Sequence, residues 1–446
     1  MFNKPNKGFL WPVMLVLLMA VGIVRAESVL SIQTWETANG AQVVYYPTDN
    51  LPIVDVRVIF DAGSARDGDL SGVAQLTASL LSEGAGGLSG QEIANGFAKV
   101  GAEFSASATR ETSVVRLRSL SDPQRLWPAV ELLATVLKSP EFSAAAFERE
   151  KRRQLLSIQA KQQSPSALAN DAMMAAAFAG HPYGQPISGT TESVSALRLD
   201  DVKDFYKRHY TAANAWVVIV GNVDREDAER LASQLVGGLR KGERMAALPP
   251  AQPIEGRQIV HVPFPSEQST VRIVYNGIPR LDKDYFPLYV GNHIFGGSGF
   301  ASKLTTHIRE QRGLAYSVYS YLMPLRAGGL LVMGIQTRND QVEEAVSLMM
   351  SDFEQFVSEG PTKAELADSQ ANIIGGFPLR LDSNAKIAEA IGALVVMGLP
   401  LDYFDHYTDQ IAAINPEQIR DVFARRIDPN AHVIIIVGPD KPVQSE

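Results

Sequence analysis

The sequence predicts an α+β protein of two homologous domains, each a mainly antiparallel sheet packed with several helices. Three observations predict this. Short β-rich runs alternate with long amphipathic helical patterns. The order of these elements occurs twice along the chain. With 446 residues, 46% of them hydrophobic, the chain is long enough to bury two cores without disulfides or a structural metal. It has no Cys, which excludes thiol chemistry, a disulfide scaffold and a zinc ribbon.

Taken in order, residues 1–26 read as a targeting segment. Lys4 and Lys7 give a positive start, Phe9 to Val24 is almost wholly apolar, and Val24-Arg25-Ala26 offers small residues at a cleavage site. The apolar run is near the lower length limit for a membrane span, so two readings stand: cleavage after Ala26 or retention as an anchor. Both export the body of the protein to the periplasm or to the periplasmic side of a membrane. Removing this segment takes away Lys4, Lys7 and Arg25 and no acid, leaving 38 basic against 49 acidic residues. Such an acidic chain is a poor partner for nucleic acid, whose phosphates need a basic surface.

The first domain, 27–237, opens on the β pattern IVDVRVIF (Ile53 to Phe60) and closes on DDVKDFYKRHYTAANAWVVIVGNV (200–223). The closing element reads as an amphipathic helix, an Asn-Ala turn and a buried Val/Ile strand ended by Gly. Residues 238–258 then lose periodicity and collect Gly, Pro and charge, as an interdomain linker does. The second domain, 259–446, repeats the scheme. TVRIVY (Thr270 to Tyr275) matches the opening strand, and EQIRDVFARRIDPNAHVIIIVG (417–438) matches the closing helix, turn and strand. Asn214-Ala215 and Asn430-Ala431 stand 216 residues apart, so the chain is an internal duplication.

Motifs that carry chemistry are scarce. The seven His are His181, His209, His261, His293, His307, His406 and His432, and no two lie three or four residues apart. Neither H-E-x-x-H nor H-x-x-E-H is therefore present to set two imidazoles on one helical face. There is no G-x-S-x-G elbow and no Gly-rich phosphate loop behind a strand.

A set of longer motifs nevertheless stands in order along both halves. They are GSARD (Gly63 to Asp67), GVAQLTASLLSEG (Gly72 to Gly84), KVGAEFSASATRE (Lys99 to Glu111), GHPYGQPISG (Gly180 to Gly189), FGGSGFASKL (Phe295 to Leu304) and IREQRGLAYSVYS (Ile308 to Ser320). In these, over nearly the whole mature chain, the sequence resembles the insulinase, pitrilysin and mitochondrial processing peptidase family. The resemblance implies two peptidase-like domains that together form half of a clam-like chamber.

Peptide-cleaving members carry H-x-x-E-H on the first of those helices, with a further Glu ligand on a later helix. Here Gln75, Ala78 and Ser79 occupy the His, Glu and His positions, and Ser157 falls at the later Glu. An amide, a methyl and hydroxyls neither hold Zn²⁺ nor deprotonate its water, so no metal is expected on this chain and no activity is expected from it alone. The resemblance also implies that Arg309 and Tyr316, in IREQRGLAY, act as transition-state donors reaching a zinc site across the chamber. Arg312 is read as solvated. Gly296, Gly297 and Gly299 resemble a glycine-rich segment near the chamber entrance that meets the peptide. Residues Gly101 to Thr109 resemble a substrate-binding edge strand, with Ser105 where active members have Asn.

The expectation is a zinc-free partner subunit of an exported heterodimeric metallopeptidase, its homologous partner carrying H-x-x-E-H and Zn. A structural or peptide-binding envelope protein without a part in catalysis is the alternative. An independent metallopeptidase with unfamiliar ligands is the weakest reading.

Overall fold

A computed structural model describes residues 28–439; the proposed targeting segment lies outside the described residues. The two halves build their sheets in the same way. In the first, Gln42–Pro47 runs parallel to Ala215–Gly221, which pairs antiparallel with Ile53–Phe60, then Ser113–Leu120, then Glu103–Ala108 at the edge. In the second, Arg257–Pro263 runs parallel to His432–Gly438, followed antiparallel by Gln268–Asn276, Gly329–Arg338 and the edge strand Ala315–Pro324. The first sheet has one strand more, Gln33–Glu36, laid antiparallel on the outside of Gln42–Pro47. Both sheets are thus mainly antiparallel with one parallel pair each.

The strands that the repeated sequence marks, Ala215–Gly221 and His432–Gly438, are interior strands of their sheets, each paired on both sides. Their continuous Val/Ile runs follow from cover on both faces. In Ala215–Gly221, residues 215, 217 and 219 join the core of the first half, while Trp216, Val218 and Val220 join the other large core. That second face is covered by helix Asn384–Met397, which belongs to the second half. The reverse also holds: Val433, Ile435 and Val437 pack with Ala169, Met173, Met174 and Ala177 of helix Pro165–Ala177, from the first half. Each half lends one helix to the other's sheet.

Helix ends follow local chemistry. Gly90–Val100 starts on a reciprocal Ser89/Glu92 capping box and stops at Gly101, whose φ of 68° suits the left-handed exit. Pro416–Arg426 starts on Asn415 and Gln418 in the same reciprocal way. Helix Arg225–Val236 ends just before the predicted linker. Residues 240–255 form no helix or strand, but Ile254 is buried and Ala251 N–H donates to Ala327 O, 2.8 Å, so this stretch is laid against the second sheet.

Candidate functional site

Helix Val73–Leu80 carries three of the four positions where a metal site would be sought. Its start is fixed by Asp67 of the GSARD turn, whose carboxylate accepts from Gly72 N–H, 2.7 Å, and Ala74 N–H, 3.0 Å. Burial pushes the Asp67 carboxyl up to about 7 in spite of those two donors. Gly72 has φ 97° and leaves no room for a Cβ, which would lie 2.8 Å from Ser188 O and 2.9 Å from the Gln154 amide. Gln154 donates to both Gly72 O and Ser188 O, so helix Ala144–Lys161 is tied to the beginning of helix Val73–Leu80.

Gln75 and Ser79 are one turn apart and half-buried, and the Ser79 hydroxyl donates back to Gln75 O, 3.1 Å. Ala78 is buried. Ser157 lies on helix Ala144–Lys161 two turns beyond Glu150 and on the same flank, yet it is exposed while Glu150 is buried. The acid this helix buries is therefore not at the aligned position. Burial and the nearby Glu83 push the Glu150 carboxyl up, while Arg153 pairs with it at 3.2 Å. Zinc does not fit these residues. The four positions supply an amide, two hydroxyls and a methyl, with no imidazole or carboxylate among them, and the described residues contain no group of three or more His, Asp or Glu placed to hold a metal ion.

The donor-free helix packs against strand Glu103–Ala108, whose outer edge is unpaired. Ser105 is exposed on that strand. An extended peptide could add there by backbone hydrogen bonds alone.

In the second half, Arg309 and Tyr316 come together. Arg309 stands on the π-helical turn Thr305–Glu310 and Tyr316 at the start of strand Ala315–Pro324. The pairing with Gly329–Arg338 jumps from Ala315–Thr337 to Ser317–Gln336, so Tyr316 is the extra residue of a β-bulge. The bulge turns its ring outward, and 86% of it is exposed. The Arg309 guanidinium lies 5.3 Å from the centre of that ring and 4.7 Å from the centre of the Phe300 ring, itself 73% exposed. Arg309 makes no ion pair among the described residues, so its N–H donors remain available. Arg312 is exposed, as expected. Sequence reasoning missed Phe300; an aromatic residue directly after Gly299 was the available signal.

The three glycines have separate reasons. Gly296 is buried against Ser320, where a Cβ would lie 2.4 Å from its hydroxyl, so only glycine fits the packing there. Gly297 is exposed at the end of the helical turn, where a Cβ would touch the Asn292 amide at 3.0 Å. Gly299 faces open space at φ 64° and sets the turn that presents Phe300.

The motifs GSARD and ASATRE serve a further purpose. Arg326, in the hairpin between Ala315–Pro324 and Gly329–Arg338, reaches into the first half and donates to both oxygens of Asp61, at 2.9 and 3.2 Å, and to Glu111 at 3.2 Å. Arg66 grips the same Asp61 with two bonds of 2.8 Å. Tyr183, from the GHPYGQP segment, donates to Glu111 and accepts from Ala327 N–H, 3.2 Å. Burial alone would raise the Asp61 carboxyl, but Arg66 and Arg326 outweigh it and hold it below the ordinary range. These motifs join the two halves.

Comparison with known proteins agrees with this geometry. Residues 42–191 match the profile of the insulinase family, peptidase family M16, and residues 196–373 match that of the peptidase M16 inactive domain. A crystal structure described as the peptidase M16 inactive domain from Pseudomonas fluorescens is 35% identical and superposes with a TM-score of 0.89, over 92% of this chain and 99% of that one. The chain belongs to the M16 family. The Helicobacter pylori protein called non-peptidase homolog YmxG is 26% identical over 96% of this chain and 98% of its own. An uncharacterized zinc protease of Rickettsia bellii is 25% identical over 90% of this chain and 96% of its own. Within M16 this chain is a non-catalytic member, since the positions that would bind metal carry no suitable donor.

Proposed function

We propose that this chain is the zinc-free subunit of an exported heterodimeric metallopeptidase. A homologous subunit bearing H-x-x-E-H and Zn would supply metal and base. This chain would close the other side of the chamber and contribute Arg309 and Tyr316. The observation that supports this reading is their contrast with the helix Val73–Leu80: the metal donors are gone, while Tyr316 faces outward beside Arg309, which is half-buried and makes no ion pair among the described residues. A guanidinium and a phenol are preorganised donors for the oxyanion of a tetrahedral intermediate, and losing one such donor costs about two to three powers of ten in rate. The name of the Pseudomonas fluorescens structure, an inactive M16 domain, supports a supporting role of this kind.

The test is reconstitution with the zinc-bearing chain from the same organism, using unfolded peptides as substrate. Activity should require both chains. Arg309→Ala and Tyr316→Phe should each lower kcat about a hundredfold or more while the complex still forms. Full activity in both variants would leave only enclosure to this chain and overturn the assigned role.

A further inference from the structure

The two halves differ at one place that the duplication makes conspicuous. Val43 pairs with Val217, four residues before Gly221; Ile259 pairs with Ile434, four residues before Gly438. Val43 and Ile259 are thus equivalent positions on equivalent strands. Val43 is fully buried, whereas Ile259 is 63% exposed. In the first half that face is covered by helix Arg225–Val236, which follows the central strand and buries Ala228, Leu231, Ala232, Leu235 and Val236 against helix Pro123–Lys138 and the sheet. Among the described residues no helix follows His432–Gly438. What remains is a groove of about 500 Å³ between the sheet and helix Val342–Glu359, floored by Ile259, Ile434 and Ile436 and walled by Val342, Val346 and Met350.

The charged residues that line the groove itself are acids, while Arg257, two residues before Ile259 on the strand, stands at its end and donates to Asn430. Glu343 and Glu354 line the groove and take part in no ion pair among the described residues, and helix Val342–Glu359 has acids at 343, 344, 352, 354 and 359 but no Lys or Arg. The internal template says what shape fits this groove, and the rim says what charge. We infer that the groove is a docking site for an amphipathic helix of a partner protein, with small and branched apolar residues on one face and Lys or Arg on its flanks. Such a helix would place Leu- and Ala-type side chains on Ile259 and Ile436 as Arg225–Val236 places its own on Val43 and Ile219, and its cations would meet Glu343 and Glu354. This inference is independent of Arg309 and Tyr316, which lie at the opposite edge of the sheet.

The probe is a synthetic, fluorescently labelled helix copying the apolar stripe of Arg225–Val236 with lysine at its flanking positions, titrated into the intact protein. Saturable binding is expected. Ile259→Asp, at a position that is mostly exposed, should weaken it at least about tenfold with the far-ultraviolet circular dichroism unchanged. The double variant Glu343→Lys/Glu354→Lys should reverse the preference, so that a matching helix with glutamate flanks binds better than the lysine one. No binding, or equal affinity for lysine and glutamate helices, overturns the inference. So does a dimer in sedimentation that Ile259→Asp dissolves, because a second copy then covers the groove. Binding that appears only when residues 1–27 are removed overturns it too, because the chain's own segment is then the occupant.

Discussion

Buried and flanked by Arg66 and Arg208, His209 is held neutral: loss of solvation, then those two cations, bring its pKa down to about 4. Its ring lies tilted against Phe205, centroids 4.4 Å apart, and its Nδ1 finds no partner among the described residues. A group whose folded pKa is depressed contributes stability above its unfolded value, near 6.5, and loses it as pH falls toward the folded one. Between pH 6.5 and 4 the wild type should therefore lose up to about 3 kcal/mol that a His209→Gln variant keeps. Asp67, raised by burial, acts in the opposite direction, so the readout is the difference between wild type and variant in urea midpoints across that range. A constant difference would show that His209 does not titrate in this way. None of this was legible in the sequence, where His209 is one of seven scattered imidazoles; Asp61 and Arg66, which shape its surroundings, are more than a hundred residues away. Arg309 and Tyr316 were singled out only through the family resemblance of IREQRGLAY, and their juxtaposition rests on the turn and the bulge between them. Phe300 was not singled out, because its contact with Arg309 depends on how the turn at Gly299 folds back.

At the scale of elements, the helix that lost its metal donors has kept its architecture. Asp67 caps it, Gln154 braces it and Gly72 admits both, so these residues have a folding role that needs no metal. Asp67→Ala removes both acceptor oxygens from two buried N–H groups and should cost about 3 kcal/mol, while Asp67→Asn, which keeps one acceptor and sets its NH2 against the other N–H, should cost about half as much. Equal losses in chemical denaturation would mean that the cap is not what matters there. The repeated helix–turn–strand units were readable from periodicity and from the Asn-Ala turns, since both signals are local. The bulge at Tyr316 was not, since it exists only in the pairing of Ala315 and Ser317 with Thr337 and Gln336. The exposure of Ser157 was not legible either: its helix presents Glu150, Gln154 and Ile158 inward and leaves Ser157 outside, although Ser157 is only two turns from Glu150.

At the scale of the molecule, the duplication was visible in sequence but the exchange of helices was not, because an apolar helical face does not declare which sheet it will cover. The exchange has a thermodynamic consequence. Helix Asn384–Met397 buries Ile387, Ala388 and Ile391 in a core shared with Ile59 and Val218 of the other half, and Gly392 lets it come close enough that a Cβ would lie 2.9 Å from Ile59. Helix Pro165–Ala177 does the same on the second sheet. Neither half can unfold without uncovering the other's sheet, and Arg326 adds a buried ionic tie between them. The protein should therefore unfold in one step. Of its four Trp residues, Trp11 falls in the proposed targeting segment and Trp35, Trp127 and Trp216 in the first half, Trp216 in the core shared with the second, so fluorescence of the mature chain reports the first half and that seam while far-ultraviolet circular dichroism reports both halves. The two urea curves should coincide. Arg326→Ala leaves Asp61 and Glu111 buried beside one cation fewer, which should lower stability by about 3 kcal/mol. It should shift both curves together, because shared helices still bind the halves. Curves that separate in the wild type would show that the halves fold independently; curves that separate only in Arg326→Ala would show that the ionic tie, not the exchanged helices, makes them one unit.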